Sequence, residues 1–286
     1  MTIKEALRYR PNQRIKPKEI EILLSFVLKQ TREFLFAYPQ KRLTKKQINK
    51  WRSLIEKRKK GHPLAYLIGQ QEFYGLNFYV DSRVLIPRPE TELLVENVLE
   101  KIFKDCPSKI TIADIGTGSG NIIITLALKF KACGLKFKAY ATDISSKALE
   151  VAQMNAKIHQ VDNKITFLKG DLVSPLPEKI DYLLANLPYV AKNEMSHLPK
   201  EVKDFEPKIA FDGGRDGLFL YHQLLKKVDD YLNPSASLFL EIADQQKEKI
   251  TRLIKKYLPL AQIKIIKDYA GHNRLIIIKN IQNAQV

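Results

Sequence analysis

Ile110-Thr-Ile-Ala-Asp-Ile-Gly-Thr-Gly-Ser-Gly120 is an apolar run of strand length that ends in three alternating glycines. Such a run reads as a buried strand, and glycine just past its end lets backbone N–H groups approach a ligand that a Cβ would push away. Working outward, Ala139–Thr142, Ile165–Leu168 and Tyr182–Ala185 have the same buried-strand character, with helical stretches at 121–131 and 145–159. Strands alternating with helices predict a parallel sheet, with ligands at the carboxyl ends of its strands. A helix over 218–232, a strand at Ser237–Ile242 and a helix near 244–256 follow, then strand-like runs Gln262–Ile266 and Arg274–Ile278. The short connection between those last two predicts an antiparallel edge pair. The expected class is α/β, a doubly wound sheet over residues 87–286.

Residues 1–72 read instead as a small all-α domain. Thr2 with Glu5, and Thr44 with Gln47, have capping-box spacing, while Ile20, Leu23, Leu24, Val27 and Leu28 recur at helical intervals. Phe34, Phe36 and Tyr38 read as packing for this bundle rather than as a base-stacking platform. Two β-like runs around Asp81-Ser82 read as a hairpin, which makes 73–86 a linker. Pro87-Arg-Pro-Glu-Thr-Glu92 then opens a helix, with Thr91-Glu92 at its start.

The 286-residue chain is 45% hydrophobic and 28% charged, the balance of an ordinary globule. No run approaches the roughly 20 apolar residues of a membrane span, and the first 30 residues have no signal-peptide pattern. Cys106 and Cys133 are the only cysteines and lie far from any His cluster, so no metal site is expected and a cytoplasmic, reduced setting is. Residues 1–60 hold 18 Lys+Arg and 5 Asp+Glu, which is +13 of the net +17. That segment suits a polyanionic partner such as RNA, and equally suits a solvated helix surface. Monomer is the default oligomeric state.

Gly116, Thr117, Gly118, Ser119 and Gly120 give the spacing G-x-G-x-G. The third glycine of a dinucleotide loop would fall at Asn121, so the loop argues for a smaller, nucleotide-like ligand. Asp143 closes the second strand, where a carboxylate can accept from both ribose hydroxyls. The stretch Asp143-Ile-Ser-Ser also suits a helix N-cap. Asp171 closes the third strand, with Leu172 beside it, a place for an adenine amino group and ring or for an ordinary turn.

About 70 residues after the loop, Asn186-Leu-Pro-Tyr189 closes another strand. An amide or aniline-like nitrogen shares its lone pair with a π system and attacks slowly. The Asn186 side-chain oxygen and the Leu187 carbonyl can each accept one N–H of such a group, and Tyr189 can stack over its plane. Pro188 sets the turn.

The order of loop, first acidic residue and second acidic residue resembles class I S-adenosylmethionine-dependent methyltransferases, which implies a Rossmann-like sheet, S-adenosyl-L-methionine as methyl donor, and Asp114 near the methionine end. Asn186-Leu-Pro-Tyr189 resembles the [N/D]-P-P-Y signature of amino-group methyltransferases, with Leu187 in place of the first proline. N-L-P-Y also occurs in ribosomal RNA adenine dimethyltransferases. Pro63-Leu-Ala-Tyr-Leu-Ile-Gly69, Phe73-Tyr-Gly75, Val84-Leu-Ile-Pro-Arg-Pro-Glu-Thr-Glu92 and Glu206-Pro with Asp212-Gly-Gly-Arg-Asp-Gly217 resemble the release-factor glutamine methyltransferases, the HemK/PrmC family. That resemblance implies methylation of the glutamine amide in the Gly-Gly-Gln loop of class 1 peptide chain release factors. It also implies that Arg88, Glu90, Thr91 and Glu92 lie near the cofactor and target. A second departure, Glu241-Ile-Ala-Asp-Gln where the family usually has glycine after the acidic residue, touches no group assigned to chemistry here. The competing expectations are an adenine N6-methyltransferase acting on RNA or DNA, and a non-catalytic RNA-binding protein that keeps the fold.

Overall fold

The computed structural model describes residues 1–9 and 15–279; residues 10–14 and 280–286, which fall in the expected helical and sheet domains, lie outside the described residues. The chain opens with helices α1 (Ile3–Arg8), α2 (Pro17–Leu28), α3 (Arg32–Ala37), α4 (Lys45–Lys59) and α5 (Leu64–Ile68). Strands β1 (Gln70–Phe73) and β2 (Leu76–Tyr79) come next, then α6 (Glu92–Asp105). The alternating part runs β3 (Lys109–Ile115), α7 (Asn121–Ala132), β4 (Lys136–Asp143), α8 (Ser146–Ile158), β5 (Ile165–Lys169) and β6 (Ile180–Ala185). It closes with α9 (Lys200–Phe205), α10 (Phe219–Lys227), β7 (Leu232–Glu241), α11 (Lys247–Tyr257), β8 (Gln262–Lys267) and β9 (Asn273–Lys279). Two compact units result: Met1–Gln70 with Pro199–Phe205, and Gln71–Leu198 with Glu206–Val286.

In the first unit both expected capping boxes form, with each threonine hydroxyl accepting from the amide three residues on and the Glu5 or Gln47 side chain reaching back. The helices bury Ile3, Ile20, Leu23, Leu24, Leu35 and Trp51. Arg58, on α4, joins Glu19 of α2 and Glu201 of α9, each at 2.6 Å. The aromatic expectation holds only for Phe34, which packs against this core. Phe36 and Tyr38 are 59% and 56% exposed, because α3 is too short to turn three rings inward and spends its buried face on Leu35.

The second unit is built on a seven-stranded sheet of order β5-β4-β3-β6-β7-β9-β8. The first five of these strands are parallel, and β9 inserts antiparallel between β7 and β8. Alternate residues serve opposite faces, as a period of two requires. Ile110, Ile112, Leu184 and Phe239 meet α6 and α7 on one side. Ala113, Ile115, Leu183 and Leu240 meet α10 and α11 on the other. The expected helix over 218–232 ends at Lys227 and tightens into a 3₁₀ turn, Val228–Tyr231. The hairpin turns at Tyr74-Gly75, not at Asp81-Ser82. Both turn residues have positive φ, 52° and 75°, as a two-residue connection between twisted strands demands. The second run, 84–86, forms no strand among the described residues. Asp81 instead accepts from the Arg83 backbone and side chain, which closes a local turn.

Candidate active site

The carboxyl ends of β3, β4 and β6 open on a cavity of about 640 Å³. The glycine loop forms its floor. Gly116 and Thr117 both donate backbone N–H to the Thr142 carbonyl at 2.9 Å, and Gly118 donates to Asp143 Oδ2 at 3.0 Å. The three glycines have φ of 72°, 55° and 80°, but each answers a different need. A Cβ on Gly116 would meet the Leu187 side chain at 3.2 Å, and one on Gly120 would meet Ile124 at 2.8 Å and Ala152 at 3.2 Å. A Cβ on Gly118 would meet no protein atom within 4 Å. Only Gly118 therefore keeps open space for a ligand; the other two let the loop close on its neighbours.

Asp114 does not line the cavity. It lies fully buried under the loop, where Oδ2 accepts from the Thr117 hydroxyl at 2.7 Å and Oδ1 has no hydrogen bond among the described residues. Burial pushes its pKa up to about 7. Ser119 is also buried and works on the loop: its hydroxyl donates to Asn121 Oδ1, and its carbonyl accepts from Asn155 of α8. Asp143, Asp171 and Leu172 do line the cavity. Asp143 is not the N-cap of α8. That role belongs to Ser145, whose hydroxyl accepts from Ala148, while Asp143 accepts from the Ser145 and Gly118 amides. Burial raises the Asp143 pKa against those bonds.

Across the cavity stand Asn186, Leu187 and Pro188. Asn186 Nδ2 donates to Thr91 Oγ1 at 3.1 Å, which leaves its amide oxygen for other partners. Leu187 is 3% exposed, and its side chain packs over Gly116. Tyr189 departs from expectation: it does not line the cavity, and its phenol lies 3.4 Å from Glu241 Oε1.

Two motifs recognised only by resemblance acquire mechanical roles. Gly213 donates its N–H to the Val190 carbonyl, Lys192 donates to the Gly214 carbonyl, and Val190 bridges Asp212. The Asp212–Gly217 stretch is thereby zipped to the segment after Asn186. A Cβ on Gly213 would meet the Pro188 carbonyl oxygen at 2.9 Å. Glu206, almost wholly buried, accepts from the Ile86 amide at 3.0 Å and from Arg88 at 2.5 Å, and so holds the cavity wall at Arg88. Thr91, expected near the target by resemblance alone, is buried and accepts from Asn186, whereas Glu241 was assigned no chemistry. Thr91 makes no capping bond to α6 even though it occupies the N-cap, and Glu241 touches Tyr189 directly. Their only signal in the sequence was membership of stretches that resemble a family.

A parallel sheet with an antiparallel β9 insertion, a glycine loop after β3 and an acidic residue ending β4 define a class I methyltransferase. A structure described as a class I S-adenosylmethionine-dependent methyltransferase from Listeria monocytogenes has a TM-score of 0.50 at 16% identity, covering 99% of this chain and 87% of its own. The hMettl16 catalytic domain, solved with a MAT2A 3′UTR hairpin, has a TM-score of 0.54 at 16% identity, covering 74% and 77%. These likenesses concern the fold. A model described as the PrmC N-terminal domain matches residues 10–69, and one described as the methyltransferase small domain matches residues 89–201. The release factor glutamine methyltransferase of Bacillus cereus is 38% identical over 262 residues, covering 90% of each chain. That of Dictyoglomus turgidum is 40% identical over 269 residues, covering 90% of this chain and 89% of its own. The chain belongs to the release factor glutamine methyltransferase family and is an S-adenosylmethionine-dependent methyltransferase.

Proposed function

We propose that this enzyme methylates the side-chain amide nitrogen of the glutamine in the Gly-Gly-Gln loop of class 1 peptide chain release factors, in support of translation termination. The names of its relatives support the substrate, and one observation carries the chemistry. Asn186 lines the cavity with its amide nitrogen already engaged by Thr91, so its oxygen is the end left for a target.

The cavity residues fit S-adenosylmethionine. Gly118 keeps open space above its backbone, Asp143 offers a half-buried carboxylate to ribose hydroxyls, and Asp171 with Leu172 suits an adenine edge and face. Asp114 works from below, by holding Thr117 and the loop. When bound, this cofactor supplies the methyl group as an electrophilic sulfonium. Asn186 Oδ1 and the Leu187 carbonyl accept the two N–H groups of the glutamine amide. That fixes the nitrogen's direction and favours the positive charge that builds on it. The methylated nitrogen becomes acidic and releases a proton to solvent, so no side chain need act as a strong base. Tyr189 contributes by holding its loop against Glu241, and stacking on the target would require its ring to move.

Adenine in RNA is the competing target, favoured by N-L-P-Y and by the cationic segment 1–60. Radiolabelled S-adenosylmethionine offered with purified release factor in one tube and total RNA in another separates the two. Label mapped to the Gly-Gly-Gln glutamine is expected. Label on adenine, with none on protein, overturns the reading.

A further inference from the structure

A second cavity, of about 510 Å³, adjoins the first. Gly214 lines the first cavity, and Arg215, the next residue in the chain, lines the second. Its other walls are the segment after Asn186-Leu-Pro-Tyr189, through Asn193 and Glu194, and the start of α11, through Lys249. Gln246 ties these walls together and is 4% exposed. Its Nε2 donates to the Tyr189 carbonyl at 2.9 Å and to the Gly217 carbonyl at 3.1 Å, and its Oε1 accepts from the Ala243 amide at 3.1 Å. The second cavity is therefore built in advance and anchored to the tetrapeptide that faces the target.

Small-molecule sites are lined mostly by apolar and aromatic side chains. Here Arg215 and Lys249 bring positive charge, Glu194 and Asp216 negative charge, and Asn193 and Gln245 bring amides that both donate and accept. Neither cation pairs with a carboxylate among the described residues. The carboxylates are fixed by backbone: Glu194 accepts from the Ala191 amide at 3.3 Å, and Asp216 from the Leu218 amide at 3.1 Å. A nucleic-acid backbone repeats one negative charge, which these two carboxylates repel. An extended polypeptide alternates N–H and C=O groups and carries side chains of either sign, which this lining complements. Ala191 lies five residues after Asn186, a path of at most about 18 Å that an extended partner covers with about five or six residues. We propose that the second cavity receives the polypeptide strand flanking the target glutamine, and so selects protein over RNA. The proposal rests on the reading of a release-factor glutamine as the target.

Two measurements test it on the whole enzyme. Asn193→p-benzoylphenylalanine places a photo-crosslinker at the cavity, and intact release factor and total RNA are offered in separate tubes. Crosslinks mapped by mass spectrometry should fall on release factor within about six residues of the Gly-Gly-Gln glutamine, the reach set by the chain path. Arg215→Glu with Lys249→Glu leaves the cavity wholly acidic, and both positions are exposed, where substitutions disturb the fold little. That variant should raise KM for release factor about tenfold, the loss of one or two good contacts, with kcat and cofactor Kd within about twofold of wild type.

Crosslinks to RNA, to a distant part of release factor or to nothing overturn the proposal, and so does an unchanged KM. Parallel losses of kcat and cofactor binding would mean that these side chains only support the fold, and overturn it too. In each of those cases methyl transfer by the wild type to the Gly-Gly-Gln glutamine leaves the functional reading standing. Absence of that transfer overturns the functional reading, and the proposal with it.

Discussion

Asn186 and Asp114 show how two polar side chains a few residues from the same cavity do different work. In the proposed mechanism Asn186 contributes an acceptor to the cavity, and its amide nitrogen is held by a bond to Thr91. Asn186→Ala should therefore cost about 10²–10³ in transfer rate while cofactor affinity stays within a few-fold, the size expected for one positioned group. Near-normal turnover in this variant would remove Asn186 from the mechanism. Asp114 contributes from beneath, and burial raises its pKa from 3.8 to about 7. Between about pH 4 and 7 the folded enzyme thus keeps a proton that the unfolded chain has released, and stability falls as pH rises through that window. The full shift is worth on the order of 4 kcal/mol. Asp114→Asn has no proton to lose, so its stability relative to wild type should increase from pH 4.5 to 8 in urea melts. A difference that is flat with pH would show that the carboxyl titrates normally. Neither role was fully legible in the sequence. Position after a strand marked Asn186 and resemblance to a family motif marked Asp114, near the end of β3, but whether a side chain reaches the cavity or stays under the loop depends on the strand's pleat and on what packs above it.

Elements were more legible than the contacts between them. Apolar runs of strand length and period-3.6 apolar patterns locate β3 through β9 and the helices of the second unit, because each strand and helix buries local, regular surface. The Asp212–Gly217 stretch had no such periodicity. Gly217 is required by groups nearly 30 positions away in sequence: it has φ of 79°, and a Cβ there would collide with the Tyr189 carbonyl oxygen and the Gln246 side-chain amide. Spacing within a stretch cannot reveal an obligation of that kind. The hairpin failed for the opposite reason, since Asp81-Ser82 forms a genuine turn while Tyr74-Gly75 carries the reversal, and the sequence offered both. Gly217→Ala tests the zipped loops as a unit. It should lower stability by about 1–3 kcal/mol through strain at positive φ. It should also lower kcat beyond what the fraction unfolded explains, because Gln246 would lose its hold on the Tyr189 carbonyl, now 2.9 Å long. Melting curves and single-turnover rates at 15 °C separate the two effects, and a full rate in the folded fraction would show that the loop tolerates the shift.

At the scale of the molecule the dominant feature is charge, and its placement is more specific than its sum. Residues 34–55 contain Lys41, Arg42, Lys45, Lys46, Lys50 and Arg52 and no acidic residue. All six cations are exposed, and none pairs with a carboxylate among the described residues. Glu19, Glu21 and Glu56 in the same unit are each engaged by another basic side chain. Lys45 and Lys46 moreover occupy the first turn of α4, which has no acidic residue. Positive charge there opposes the helix dipole, at a cost of a few tenths of a kcal/mol or more per residue. Local stability therefore does not account for these lysines, and we propose that attraction of an anionic partner face does. Lys45→Glu with Lys46→Glu should leave the helix as stable or more so, which makes any loss of function a matter of docking. We expect KM for release factor to rise about tenfold at low salt with kcat and cofactor affinity unchanged. The gap from wild type should narrow toward 0.5 M salt as screening shortens below about 8 Å. A KM that does not move, with retention on total RNA lost instead, would assign the cationic face of the helical unit to nucleic acid and leave release-factor docking to the cavity rim.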